Sequence, residues 1–317
     1  MDLRTLRYFV AVAELNSVSQ AALQIHVAQP ALSRHIRLFE RELGVDLFVR
    51  HRRGVTLTDA GTILLRRAKL MLDLQQTLRD EVMQSSGAPA GHLSIGMPAA
   101  LGSLLLPRTL REMRRRYPRV EPYVMEGLSG QLTEALVGDK LDVAIMNNAA
   151  ASEHVIVEPF LVSRMFLVVP PDYKFPGKSA RRATLAEIAR LPLLLANSSN
   201  TLRQTIDVAF RSAGFQLHPV VEVDSLTLLK SFVTSGIGCT LLNYYAVAEE
   251  VKRGMLAAIP IEGDGIPWRL DLAIARKRLH SLAVDAFVQL LTAEAQRVVS
   301  KGELRGSLAF HPARQAG

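Results

Sequence analysis

Within residues 27–44, VAQPALSRHIRLFERELG, Gln29, Ser33, Arg34, Arg37 and Arg41 recur at one-, three- and four-residue steps. On a helix this spacing gathers an amide, a hydroxyl and guanidinium groups on one face. Such groups hydrogen-bond to base edges in a major groove and neutralise phosphates. A second set of candidates lies further on. MPAALGS holds Ser103, EGLSGQ holds Ser129, and ANSSNTLR holds Asn197, Ser198, Ser199, Asn200 and Thr201. Each stretch follows an apolar run and precedes a helical one. Hydroxyls, amides and free backbone N–H groups at helix starts suit a small anion such as a carboxylate or sulfate. The same residue types are ordinary helix caps, and it is their recurrence at three such turns that favours a shared ligand.

Catalytic sets are missing from the sequence. GLSGQ has Gln131 where a nucleophile elbow needs glycine. SGIGCTL lacks the third glycine of a dinucleotide fingerprint, no G-x-x-x-x-G-K occurs, and the histidines are scattered without H-E-x-x-H. We therefore expect neither enzymatic activity nor a metal or cofactor. Cys239 is the sole cysteine, which excludes an intramolecular disulfide; within GIGCTLL it reads as a small core residue.

The elements that must position these residues can be read from periodicity. Leu3, Leu6, Phe9, Val10 and Ala13 form a stripe that predicts a helix to about Leu15. Ser17 then caps a second helix, VSQAALQI, whose Ala21 and Ala22 allow close packing. The third helix is the opening stretch, with Pro30 in its first turn and Gly44 at its end. Its apolar side holds Leu32, Ile36, Leu38, Phe39 and Leu43. Val45, Leu47 and Phe48 are apolar anchors after that glycine. RHRRG reads as a hairpin tip before the alternating VTLT, which makes a basic wing carrying Arg50, Arg52 and Arg53 toward phosphates or a narrow minor groove. Thr58 caps a long helix in which Ile63, Leu64, Ala68, Leu72 and Leu78 form an apolar side that a partner chain would cover.

Charge is distributed to match. The chain of 317 residues carries a net +8, of which +5 falls in the first 70 residues, where 11 Lys and Arg face 6 Asp and Glu. A polyanion is the natural partner of that module. No apolar run approaches the ~20 residues of a membrane helix, and the N-terminus lacks a signal-peptide pattern, so a soluble cytoplasmic protein with no membrane partner is expected. SSGAPAGH, residues 85–92, reads as a linker. Beyond it, strands and helices alternate from HLSIGMP to LDVAIM and again from RMFLVVP, near Arg164, to GCTLLN. WRLDLAIA and SLAVDAFVQLLTAEAQRVV close the series, and a polar, frayed tail is expected from about Lys301. The alternation predicts a parallel sheet flanked by helices, in two lobes with a cleft between them.

The run from Leu3 to Gly61 resembles the DNA-binding domain of LysR-type transcriptional regulators. GHLSIG, LLLPRTLREMRRRYPRV, EGLSGQLTEALVGDKLDVAI and TSGIGCTLLN resemble the family's effector-binding domain. EGLSGQLTEAL and LPLLLANSSNTLRQTID are most similar to the branch that includes nitrogen-assimilation-control regulators. The resemblance implies an α/β chain divided into a winged helix-turn-helix (1–60), a linker and dimerisation helix (61–91), a periplasmic-binding-protein-like effector domain (92–300) and a tail (301–317). Lobe I would comprise 92–162 with 267–300, and lobe II 163–266. Gln29, Pro30, Ser33 and Arg34 match the family's recognition helix, with Arg37 and the wing arginines as further DNA contacts. Ala28 departs from the family's usual serine there, which removes a cap worth ~1 kcal/mol. Ala99 or Ala100 likewise replaces a frequent serine in the first cleft loop, so a carboxylate contact from this loop at Ala100 would need Ser103 or backbone N–H groups in place of that hydroxyl. The implied partners are double-stranded DNA with an interrupted inverted repeat, a small anionic effector, further copies in a homodimer or homotetramer, and RNA polymerase. The competing reading is a solute-sensing module whose basic head docks on protein.

Overall fold

The computed structural model describes residues 2–52, 54–84, 87–173 and 182–309. The chain divides into two compact units, Met1–Ser86 and Gly87–Gly317. No helix among the described residues is long and apolar enough to cross a membrane, and no group of three or more His, Cys, Asp and Glu there could hold a metal ion.

The first unit begins with α1 (Leu3–Leu15), α2 (Val18–Gln24) and α3 (Gln29–Leu43). Asp2 caps α1 by accepting from Thr5 N at 2.6 Å, and Ser17 caps α2 by accepting from Gln20 N at 3.3 Å. Gly44 ends α3 at φ 72°, a left-handed conformation that glycine adopts without strain. A hairpin of β1 (Phe48–His51) and β2 (Gly54–Leu57) comes next, then α4 (Asp59–Gln84). Thr58 accepts from Gly61 N at 3.0 Å at the start of α4. The core joins Leu6, Phe9 and Val12 of α1 to Ala21 and Ala22 of α2, Leu32, Ile36 and Phe39 of α3, and Leu47 and Phe48 of the hairpin. Leu38 and Leu43, expected on the same apolar side, are exposed, as is Val45. Leu32, Ile36 and Phe39 already fill the contact with α1 and α2, and Leu38 points off that stripe.

The second unit opens with β3 (Gly91–Met97), α5 (Ala99–Arg116), β4 (Val120–Glu126), α6 (Ser129–Val137) and β5 (Val143–Asn147). A fifteen-residue strand, β6 (Val155–Val169), leads to α7 (Leu185–Ile188), β7 (Leu194–Leu195), α8 (Thr201–Ser212), β8 (Val221–Glu222), α9 (Leu226–Thr234) and β9 (Thr240–Asn243). The chain returns through α10 (Ala248–Lys252), β10 (Ala257–Pro260), β11 (Pro267–Ala275), α11 (Leu282–Ser300) and β12 (Gly306–Leu308).

The main sheet has the order β10-β6-β11-β5-β3-β4 and is mixed, which corrects the expected parallel arrangement. Strand β3 pairs parallel with β4 and β5, whereas β6 pairs antiparallel with β9, β10, β11 and β12, and β11 pairs antiparallel with β5. No helix lies between β5 and β6, so β6 enters as part of a β6–β11 antiparallel ribbon rather than through a right-handed crossover. Strand β6 also starts at Val155, nine residues before the expected start near Arg164. Its first half was obscured by Glu158 and Pro159. The register shift opposite Leu270 and Asp271 absorbs this irregularity as a bulge, with Phe160 fully buried.

The tail expected to fray from Lys301 is ordered through Ala309: Leu304 is buried and β12 adds to β6, pairing Gly306 with Ser163 and Leu308 with Leu161. Its two leucines give the segment an apolar footing, and the backbone of β6 supplies the ladder. Residues 310–317 lie outside the described residues, as do Ser85 and Ser86 of the stretch read as a linker; Gly91 and His92 of that stretch belong to β3.

A buried carboxylate ties the unit together. Asp142 accepts from Ser94 N at 2.7 Å, Ser94 Oγ at 2.9 Å and Arg278 Nε at 2.8 Å, joining the middle of β3 and the entry to β5 to the turn before α11. Both charged partners are almost wholly buried. Asp142→Ala would strand the guanidinium and Ser94 donors, and urea unfolding of the variant should show a loss of about 3–5 kcal/mol.

Candidate nucleic-acid interface and effector cleft

Helix α3 turns its apolar stripe inward, which leaves Gln29, Pro30, Arg34, Arg37 and Arg41 exposed and Ser33 half-buried. Among the described residues none of Arg34, Arg37, Arg41, Arg50 and Arg52 is engaged in an ion pair. Their charge is thus uncompensated on this surface, as a polyanion site requires. Arg50 on β1 and Arg52 at the hairpin tip are exposed, and Arg53 lies outside the described residues.

Glu40, absent from the expected set, fixes the wing relative to α3. Its Oε1 accepts from Leu47 N at 3.0 Å and Phe48 N at 3.2 Å, so the last turns of α3 hold Leu47 and the first residue of β1. At the other edge, Val55 N donates to Asn16 O at 3.0 Å, and Gly54 sits so close that a Cβ there would lie 2.4 Å from that oxygen. Glutamate on a helix reads as a solvated charge, and its loop partners cannot be foreseen from spacing.

Helix α4 divides its apolar residues between two faces. Leu64, Ala68 and Leu72, expected to await a partner, pack in the core of their own chain. Lys69 pairs with Glu14 at 2.7 Å and Arg7 donates to Gln75 at 2.9 Å along the same contact with α1. The uncovered face is Ile63, Leu70, Met71, Leu74, Leu78 and Val82, each between 43% and 68% exposed.

In the second unit a cleft of about 850 Å³ receives the amino ends of α5, α6, α8 and α9. Of the expected effector residues, Ala100, Ser103, Ser129, Asn200 and Thr201 line it. Asn197, Ser198 and Ser199 do not. Asn197 donates from N and Nδ2 to Asp224 at 3.1 and 2.9 Å, Ser199 donates from N and Oγ to Asn197 Oδ1, and Ser198 O accepts from Gln204. Asn197 and Ser199 thus spend their polar groups on each other and on Asp224.

Ser129, read as a cap, is instead the first residue of α6, and its Oγ accepts from Asn147 N at 3.2 Å. Asn200 caps α8 by accepting from Leu202 N at 2.9 Å. Sequence reasoning passed over Asn147, Asn243, Tyr245 and Trp268, which also line the cleft. Asn147 and Asn243 end β5 and β9, so the rule that ligands bind at carboxyl ends of strands points to both. Asn243 Oδ1 accepts from Ser163 Oγ at 2.8 Å. Burial pushes the Tyr245 phenol far above its usual range, with the Trp268 N–H beside it opposing that shift, so the phenol stays a neutral donor and acceptor. Lys230 Nζ is held 2.6 Å from Glu250.

Residues 3–62 match the family model for the bacterial regulatory helix-turn-helix protein, lysR family, and residues 86–296 match that for the LysR substrate binding domain. The chain belongs to the LysR family. Members of the LysR family are DNA-binding transcriptional regulators with an effector-binding domain, and this chain is one of them. It is 32% identical over 306 residues to the HTH-type transcriptional regulator BbuR of Bordetella bronchiseptica, covering 96% of this chain and 94% of that one. It is 31% identical over 243 residues to the nitrogen assimilation regulatory protein nac of Klebsiella aerogenes, covering 76% and 78%. Full-length CbnR complexed with its target DNA shares the fold, with a TM-score of 0.67 and 21% identity over 93% of this chain and 100% of that one.

In this LysR-family head, the N-cap position before α3 is Ala28, whose backbone is extended at φ −66° and ψ 131° and whose side chain caps nothing. Ala28→Ser should restore an acceptor for the first-turn N–H groups, and thermal or urea unfolding of the variant should show a gain of about 1 kcal/mol.

Proposed function

We propose that α3 enters the major groove, with Gln29, Ser33 and Arg34 at base edges and Pro30 at the helix start against the backbone. Arg37, Arg50, Arg52 and Arg53 neutralise phosphates beside it. The observation that carries this reading is the uncompensated cationic, hydrogen-bonding face of α3 beside a wing tied to it by Glu40. The exposed stripe of α4 pairs two chains as an antiparallel or parallel helical seam, and further contacts make a homotetramer. A paired head reads an interrupted inverted repeat, and the bound assembly engages RNA polymerase in the cytoplasm.

The effector occupies the cleft of the second unit at Ala100, Ser103, Ser129, Asn200 and Thr201, while Asn197, Ser198 and Ser199 shape the loop behind them. A ligand there regulates only if it binds two arrangements of the protein with different affinity, since equal affinity shifts no population. The helix starts alone suit an anion, and the carboxylates lining the cleft add a demand for positive charge on the same ligand.

Two measurements test the DNA reading. Fluorescence anisotropy on the protein's own promoter should weaken steeply as salt rises, and Arg34→Ala should cost about 1–3 kcal/mol on that promoter while changing binding to random duplex less. Unchanged promoter affinity in Arg34→Ala would remove α3 from the interface. Leu74→Glu places a charge in the exposed stripe of α4 and should lower the mass seen by sedimentation, with operator binding weakened in parallel. An unaltered mass would show that the stripe is not the seam.

A further inference from the structure

The effector reading of the cleft is the premise here, and the groups around the helix starts give its ligand a chemistry. Helices α5 and α6 open into the cleft behind Pro98 and Leu128, neither of which offers a side-chain cap to the first-turn N–H groups. Helices α8 and α9 open into the same cleft, but Asn200 and Ser225 already accept from Leu202 and Leu228 N–H. Helices α5 and α6 thus present first turns that no N-cap side chain has occupied, and such N–H groups suit a carboxylate.

A ligand that is only an anion meets the wrong charges around those donors. Carboxylates of Glu126, Asp224, Glu249, Glu250 and Glu303 line the cleft; Glu250 pairs with Lys230, Glu249 with Arg253 and Glu303 with Arg297, which leaves Glu126 and Asp224 as its carboxylates without an ion pair among the described residues. Glu126 sits just before α6 and has no ion pair among the described residues. Asn147, bonded to the first residue of α6, is 3% exposed. Its Nδ2 donates to Arg269 O at 2.6 Å, but its Oδ1 is buried without a donor. A buried carbonyl oxygen left in this way is unfavourable until a donor arrives. An ammonium group brings three donors and the positive charge that Glu126 lacks.

We propose that the cleft takes an α-amino acid or a close zwitterionic relative. Its carboxylate sits on the amino ends of α5 and α6, and its ammonium lies between Glu126 and Asn147 Oδ1. Carboxylate and ammonium on one carbon match the adjacency of uncapped helix start, acidic residue and orphaned oxygen around α6.

Thermal-shift titration of the full-length protein tests this, with each proteinogenic amino acid at about 10 mM run beside its deaminated carboxylic acid and its decarboxylated amine. At least one amino acid should raise the melting temperature, and neither analogue should match it. Glu126→Gln, an exposed and isosteric change, should weaken that titration about tenfold or more, and Asn147→Leu should do the same. Stabilisation by no amino acid overturns the proposal. A carboxylic acid that binds as well as its amino acid, unaffected by Glu126→Gln but lost in Ser103→Trp, overturns the zwitterion and leaves the effector cleft standing. Silence from all three classes, together with a Ser103→Trp variant that regulates its promoter normally, overturns both.

Discussion

Strand β6 must find partners for fifteen residues of backbone, and the second unit is organised around that demand. Buried N–H and C=O groups are almost always paired. Along its first half β6 meets β11 and, at its middle, β12; along its second half it meets β9 and β10. One strand thereby belongs to both lobes, and the cleft opens where the pairing partners change. The bulge at Phe160 is the cost of that length: an extra residue is inserted, and its side chain is used as core rather than left at an edge.

How much of this was legible in the sequence depended on how local the signal was. The first unit was nearly transparent, because helix stripes, the Ser17 cap, Pro30 and Gly44 all act within a few residues. The parallel part of the sheet was legible for the same reason. Strand β6 was half hidden, since Glu158 and Pro159 break the pattern and only the distant β11 explains how they fit. Strand β12 was read as tail because three residues have no periodicity, and its pairing is with a strand far earlier in the chain. The two faces of α4 could not be separated by spacing, because one amphipathic stripe and two adjacent ones look alike without α1 beside them.

The candidate sites show the same division. Outward residues of α3 are set by the inward ones through helix geometry, so Gln29, Ser33, Arg34 and Arg37 emerge where expected. In the cleft, helix starts were found but their occupancy was not. Asn197 and Ser199 look as available as Asn200 until Asp224 is placed across from them, 27 residues away from Asn197 in sequence. Whether a polar group is spent or free is a property of tertiary structure. That distinction also turns a set of anion-friendly helix ends into a cavity rimmed by acids.

The double acceptance by Glu40 has a further effect on how this head meets its target. With β1 clamped to the end of α3 and Val55 bonded to the turn after α1, the wing has little freedom to swing. On the proposed DNA reading, α3 and the wing are then held like the jaws of a fixed caliper. Under that reading any shortfall between their span and the groove is taken up by the duplex, through bending or narrowing, so stiff and pliant operators of equal base content would be weighed differently by the same amino acids.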